Sequence, residues 1–496
     1  MIRRFGPLLD ALIALLMALI AYGYFTPGVG GDWNSNSRMA LVKAVVEEGR
    51  LTIDSYHNAE FYTRDEALVN GHYYSDKAIG SSVIGIAVYS LLHPAMHLAG
   101  VSLRAYDFKQ LITFLAVALP SALLAPLLYL FVKQISSSRG LSLLVTATII
   151  FGTPYFKYST RYYGHTIAAM FLFAAFFIWF RIRQKGSLDL LSVLASGLCM
   201  GFMVITEYPT ALLLLPLGIY ILFVLREQGR SLDWQPYVAL IAGFGMPLSV
   251  LLIHNFMIFG TPLALNYAHE ASAEFKQAHE QGIIGITTPD LSVLFYTTFH
   301  PTMGIFWQSP ALILGFVGWY EGVKTRPNRP EAIFSLSAIG LYMVVMSGFY
   351  MWWGGHSFTP RHLIPVLPLF AVPLALLPGK HHRLLLVLAV ISIMQMFAVS
   401  VGSEAGLGNL IRRAQRGVAG GHLRDDAFLL STIYDVYFLN LIRGRLMLNV
   451  GRNFWGIYGI LGILPLVLME GFLALAAFLL GTKAVIGRAN GPDVQV

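Results

Sequence analysis

The 496-residue chain is 56% hydrophobic and 13% aromatic but only 12% charged, half the charged share of an ordinary soluble domain. With a mean hydropathy of +0.64, these values exclude a soluble enzyme, a fibre and a disordered chain, and the unbroken apolar runs exclude the short alternating segments of a membrane β-barrel. The formal net charge of +8 reads as basic loops held on the cytoplasmic side, with a positive pocket for an anionic lipid as a second reading. A single cysteine rules out an internal disulfide and a thiolate metal cluster.

In chain order, the basic start Met1-Ile2-Arg3-Arg4 leads into an apolar run from Leu8 to Phe25. That run reads as an uncleaved first helix with its N-terminus inside. Further apolar segments lie near 79–99, 108–132, 141–154, 163–180, 189–205, 208–225, 236–258, 303–320, 332–350, 362–378, 383–402 and 455–481. The expectation is an all-α polytopic membrane protein of about 12–14 spans. Residues 141–154 are short for a span, barely about 20 Å as a helix. The basic loops Arg181 to Lys185, Arg226 to Arg230, Lys324 to Arg329 and Lys380 to Arg383 all fit the cytoplasm if 189–205 and 208–225 form a hairpin turning at Thr206-Glu207-Tyr208-Pro209. Residues 28–78, 155–162, 259–302, 351–361 and 403–454 are then outside. One conflict of parity arises. If 79–99 and 108–132 both cross, the basic stretch Lys133 to Arg139 falls outside, so either one early segment does not span or one apolar run is miscounted. The domain expectation is a core of 1–402, an outer loop region of 403–454, and a last helix with a short cytoplasmic tail over 455–496.

Candidate chemistry sits in the outer loops. The first opens Gly30-Gly31-Asp32-Trp33-Asn34-Ser35-Asn36-Ser37-Arg38, so Asp32 lies near the outer interface, either as a helix N-cap or as a reactive carboxylate. Arg38 to Glu48 has the helical spacing of Met39, Val42, Val45 and Val46, ends at Gly49, and is expected to lie flat on the membrane. Asn70-Gly71 marks a hairpin turn. Around it, Asp54, Tyr74, Asp76 and Lys77 read as caps, interface aromatics and a snorkelling cation, or as contacts to a phosphate. Arg161-Tyr162-Tyr163-Gly164-His165 opens a span. Glu207, in a turn with almost no other polar residue, is a buried partner for Arg161 or another cation, or else functional. Met351 to His362 contains Trp352, Trp353, two glycines, His356 and Arg361, whose planar fork suits a phosphate. His165, His356 and His362 do not have metal-ligand spacing. In the second outer loop, 270–281 is polar and is read as a helix or a mobile stretch. Tyr434 to Arg445 is placed to cover a site or bind a glycan.

The order of these motifs resembles the GT-C superfamily of membrane glycosyltransferases, in particular the dolichyl-phosphate-mannose-protein mannosyltransferase-like and aminoarabinose-transferase-like bacterial branch. The likeness is carried by Asp32 just after the first span, Asn36-Ser37-Arg38, Ile53-Asp54, Gly71 to Ala78, Glu207-Tyr208-Pro209, and Trp353-Gly354-Gly355 to Arg361. It implies a GT-C fold with juxtamembrane helices in the first outer loop. It also implies a bacterial inner-membrane location, a polyprenyl-phosphate sugar donor, and inverting transfer on the extracytoplasmic side. The acceptor would be a hydroxyl of a glycan, lipid or protein, with membrane lipids as neighbours and no nucleic acid. Asp32 matches the family aspartate proposed as base, and Lys77 the family lysine before the second apolar run. Arg361 and Arg161 as phosphate partners rest on chemistry. The resemblance fixes no cofactor and leaves a divalent cation open: Asp32 is followed by Trp33-Asn34, and one carboxylate is a poor divalent site. A transporter or flippase of a lipid-linked saccharide is the alternative, disfavoured by the lack of internal repeats, and a scaffold or polymer-assembly protein is the third reading.

Overall fold

The structure, a computed structural model, describes residues 2–28, 31–419 and 430–489; Gly30, residues 420–429 of the expected outer loop region and the end of the tail lie outside the described residues. The first span is α1 (Ile2–Phe25). Next comes α2 (Trp33–Lys43), continued by a π-turn over Ala44–Glu48 and stopped by Gly49 at φ 67°. A hairpin of β1 (Glu66–Val69) and β2 (His72–Ser75) pairs Val69 with His72. Its turn residues Asn70 and Gly71 both have positive φ, 52° and 82°, the geometry that favours Asn-Gly in two-residue hairpins. The predicted hairpin is therefore present.

The remaining long elements are α3 (Gly80–Leu98), α4 (Ala105–Ser136), α5 (Arg139–Phe151), α6 (His165–Lys185), α7 (Leu190–Thr206), α8 (Tyr208–Glu227) and α9 (Trp234–Phe259). They are followed by α10 (305–324), α11 (Arg329–Met346), α12 (Arg361–Ala375), α13 (His382–Val401), α14 (Leu407–Ala419), α15 (Ile433–Ile442) and α16 (Leu464–Ala489). Every apolar run read from the sequence is helical. Pro310 breaks α10 into short helical pieces, and a 3-10 stretch opens α12. The chain is an all-α polytopic membrane protein. Among the described residues, nine helices are long and apolar enough to cross a bilayer.

One of those nine does not cross, and this resolves the parity conflict. α1 runs from one face of the bundle to the other. At its far end the Pro27 carbonyl accepts the Tyr106 hydroxyl at 3.0 Å, which puts the start of α4 at the far face. The other end of α4 returns to the near face, where Arg139 pairs with Asp10 at 2.8 Å. Gly80, at the start of α3, packs against Thr206, next to Glu207, which pairs with Arg38 of α2 at 3.4 Å. Both ends of α3 are thus at the far face. The six residues 99–104 that join α3 to α4 reach at most about 22 Å, too little to return across a hydrocarbon core of about 30 Å. Twelve crossings remain among the described residues: the other eight long helices together with α5, α7, α10 and α12. The start of α1 and the end of α16 are then at the near face, together with the basic loops.

The juxtamembrane region differs from expectation in one respect. The spacing of Arg38 to Glu48 predicts a helix lying flat on the membrane, yet residues 34–44 are buried, polar side chains included, and only 45–48 reach the surface. The cause is α3, which closes over α2. Tyr89 donates to Glu47 at 2.7 Å and packs edge-on against Phe108 at 5.0 Å, making a separate small core with Met39, Val42, Phe61 and Ile112.

The far-face loops close on one another. Asn266 donates to the Ser75 carbonyl at 3.0 Å, and the Ala271 amide to Glu66 at 2.9 Å, so the second outer loop lies against the hairpin. Its polar middle is helical over Ala273–His279. The Tyr350 amide bonds the Gly285 carbonyl at 2.9 Å, and Thr432 bonds the Phe358 carbonyl at 3.0 Å. Four stretches distant in sequence therefore pack against one another on top of the apolar bundle.

Candidate functional site

Asp32 is both a cap and something more. It N-caps α2 by accepting the Ser35 amide at 2.9 Å on Oδ1. The same oxygen accepts the Tyr163 hydroxyl at 3.0 Å. Oδ2 has no hydrogen-bond partner among the described residues, and the side chain is half-buried. One carboxylate oxygen is thus fixed from two sides while the other is open.

Tyr163 connects this carboxylate to Arg361. The guanidinium carbon of Arg361 lies 4.9 Å from the Tyr163 ring centroid, a cation–π contact. Arg361 Nε is buried and unpartnered. Gly354 and Gly355, at φ 80° and 73°, make the turn that brings Arg361 here. A Cβ on Gly354 would stand 3.0 Å from Arg361 Cγ, so the backbone needs glycine for both its conformation and its space.

Arg161 enters from the other side. It is 8% exposed, and the charge of Asp32 acts on it. One of its nitrogens donates to Glu404 at 2.7 Å, and Lys157 pairs with the same carboxylate oxygen at 3.4 Å. Burial alone would raise Glu404, but Arg161 and Lys157 outweigh it and hold the carboxyl below its usual range. For Lys157 burial dominates and brings the ammonium down to about 8 in spite of Glu404. Tyr158, bonded to Ser357, stacks on Phe358 and completes the wall.

Glu207 pairs with His165 at 3.3 Å and Arg38 at 3.4 Å. Of the sequence alternatives, this is a buried partner for cations, with Arg38 and not Arg161 as the arginine. Burial would raise its carboxyl, and His165 and Arg38 reverse that, to about 2. The His165 ring stacks on Tyr163 at 5.9 Å and meets His362 edge-on at 5.5 Å, so this ionic node adjoins the Asp32 group.

Lys77 and Asp76 form a third node. Lys77 Nζ pairs with Asp76 at 2.7 Å and Asp65 at 2.9 Å. Burial alone would depress the lysine, but the two carboxylates hold its pKa above the ordinary value. Asp76 is 1% exposed; burial pushes its carboxyl up to about 7, against the pull of Lys77. Asp65 acts on Arg361, and Lys77 on His362, so this node lies within electrostatic reach of the Arg361 group. With two carboxylates already on its ammonium, Lys77 carries less spare positive charge for a phosphate than Arg361 or Arg161.

Three predicted residues lie apart. Asp54 is at the exposed end of the hairpin, bonded to His72 and to the Tyr73 amide, both at 2.7 Å. Tyr74 is half-buried on β2 opposite Ala67. His356 is exposed and packs against Gly408. Among the described residues no group of three or more His, Cys, Asp or Glu side chains is arranged to hold a metal ion. The residues that sequence reasoning missed are Tyr163, Arg38, Asp65, Lys157 and Glu404. A signal existed for two of them: Lys157 and Glu404 are charges in outer stretches directly flanking apolar runs, where topology does not call for them.

The arrangement links, through Tyr163, a carboxylate with one open oxygen to the half-buried Arg361, and the buried Arg161 feels the same carboxylate's charge. It can accept a proton from a hydroxyl and stabilise a departing anion nearby.

No family model matches the chain, and no curated protein does. Among solved structures, it is similar to the crystal structure of ArnT from Cupriavidus metallidurans in the apo state, at 13% identity over 96% of this chain and 72% of that one, with a TM-score of 0.47. It is also similar to ArnT from the same organism bound to undecaprenyl phosphate, at 13% identity over 84% and 73% of the two chains, with a TM-score of 0.45.

Proposed function

We propose that the chain is an inverting glycosyltransferase that moves a sugar from a polyprenyl-phosphate donor to a hydroxyl acceptor, with its site on the extracytoplasmic face of a bacterial inner membrane. The observation that carries this reading is Asp32, with Oδ1 held by Ser35 and Tyr163 and Oδ2 open, joined through the Tyr163 ring to Arg361 and acting by its charge on Arg161.

The acceptor hydroxyl gives its proton to Asp32 as its oxygen attacks the anomeric carbon. The bond to the donor phosphate oxygen breaks on the opposite side of that carbon, which inverts it. Arg361 and Arg161 stabilise the phosphate that leaves. Lys77 holds Asp76 and Asp65, the latter within electrostatic reach of Arg361. The donor arrives through the bilayer, its prenyl chain between helices and its phosphate at the far face, so no nucleotide pocket is needed.

The test is transfer from a purified polyprenyl-phosphate sugar by the protein in lipid vesicles, in wild type, Asp32→Asn and Arg361→Met. Transfer that depends on both residues supports the reading. Donor translocation that continues in both variants with no sugar transferred in any sample would instead favour the flippase.

A further inference from the structure

The near face of the bundle carries a second polar feature. A cavity of about 590 Å³ opens between α8 and α11. Ile219, Phe223, Ile333 and Phe334 form its apolar wall, and Arg183, Glu227 and Arg329 its rim. Ile219 and Ile333 are largely exposed on the surface that faces lipid. An adjoining cavity of about 400 Å³ shares Arg183 and Glu227 and adds Gln228.

The rim is a dipole. Arg183 donates to Glu331 at 2.9 and 3.2 Å and to the two oxygens of Glu227 at 2.7 and 3.2 Å. Glu331 is 0% exposed and also accepts the Tyr220 hydroxyl at 2.8 Å, so the buried carboxylate takes up the arginine's charge. Glu227, 43% exposed, is the second carboxylate on one guanidinium and leaves a net negative charge at the rim. Arg329 is exposed and has no hydrogen-bond or ion-pair partner among the described residues. Gln228 Oε1 is buried with no partner: it is an acceptor that lacks a donor, at the acidic end of the rim.

We propose that this groove seats a near-leaflet phospholipid with an ethanolamine headgroup. Its phosphate meets Arg329, its ammonium meets Glu227 and Gln228, and an acyl chain lies along Ile219, Phe223 and Ile333. The chemistry selects among headgroups. A purely anionic headgroup such as glycerol phosphate would meet Glu227 with like charge and offer Gln228 no ammonium. A choline headgroup carries the charge but no N–H for either acceptor.

The experiment reconstitutes the full chain in nanodiscs of equal phosphatidylethanolamine, phosphatidylglycerol and phosphatidylcholine, and measures by native mass spectrometry the lipid retained after detergent extraction. Wild type should retain phosphatidylethanolamine over the other two by about tenfold, one hydrogen-bonded charge contact. Arg329→Ala should lower retention of all three lipids, which share the phosphate, Arg329→Lys should restore part of it, and Gln228→Leu should weaken ethanolamine against choline. Thermal midpoints of all variants establish that they are folded. Equal retention of the three lipids, retention of none, total lipid retention unchanged in folded Arg329→Ala, or a preference for phosphatidylethanolamine unchanged in folded Gln228→Leu would overturn the proposal. The readout does not involve sugar transfer, so it stands apart from the proposed activity.

Discussion

Tyr163→Phe removes one oxygen from the centre of the site and leaves nearly everything else. The phenol donates at 3.0 Å to Asp32 Oδ1, and the Ser35 amide holds the same oxygen at 2.9 Å. The ring also stacks on His165 and lies under Arg361, and phenylalanine keeps both contacts. A hydrogen bond to a charged acceptor contributes about 1.5–3 kcal/mol. Because Ser35 still fixes the carboxylate, the lower end applies. Turnover should fall about tenfold, the rate equivalent of about 1.4 kcal/mol, with donor affinity and thermal midpoint nearly unchanged. The assay is initial rate against donor concentration in vesicles, paired with a melt. Wild-type turnover by folded Y163F would refute the coupling of Tyr163 to the base. A loss confined to donor affinity would move Tyr163 to the phosphate side.

Arg361→Met should weaken donor binding by about 1.5–3 kcal/mol, the scale of a charged hydrogen bond, read as a rise in donor Kd; unchanged affinity would remove Arg361 from the phosphate site. Glu404 is held below its usual range. Its contribution is therefore present above the unfolded carboxyl value of about 4.3 and is lost as pH falls through the lower folded value. Since that side chain is 39% exposed, solvent screening limits the effect to about 1 kcal/mol or less. Melting midpoints of Glu404→Gln should differ from wild type at pH 6 and converge with it as pH falls from about 5 toward 2; a constant gap would contradict the ion pair. For the topology, in a Cys199→Ala background, cysteines at Ser55 and Ser102 should label from one side of the membrane and a cysteine at Ser137 from the other. Labelling of 102 together with 137 would mean that α3 crosses.

The spans were legible because a bilayer demands apolar length, and every run from Leu8 onward is a helix. The path of α3 was not. Its hydropathy is that of a span, and only the contacts of Tyr106 with Pro27 and of Arg139 with Asp10 place both of its ends at one face. Local turns were legible where backbone chemistry decides them, as at Gly49, Asn70-Gly71 and Gly354-Gly355. The burial of α2 was hidden because polar side chains such as Ser35 and Ser37 carry no local sign of burial; the hairpin, through Ser75 on Ser37, and α3 cover them. At the site, residues with an expensive charge in a short outer turn, Glu207 and Arg361, announced themselves. Their partners did not. Arg38 is 169 residues from Glu207, and Glu404 is 243 from Arg161; no local spacing encodes such pairs. Tyr163 was masked by the aromatic pair it belongs to, which composition explains as interface material.

The central claim is that Asp32 is the base. Asparagine caps a helix as well as aspartate does, so Asp32→Asn should keep α2 and the fold while removing basicity. The direct measurement is single-turnover sugar transfer by D32N with bound donor and saturating acceptor. The predicted result is folded protein, near-normal donor affinity and a rate at least about 100-fold below wild type, the lower end for loss of a general base. Wild-type transfer by D32N would contradict the account and send the search for the base to Asp76, Asp65 and Glu207.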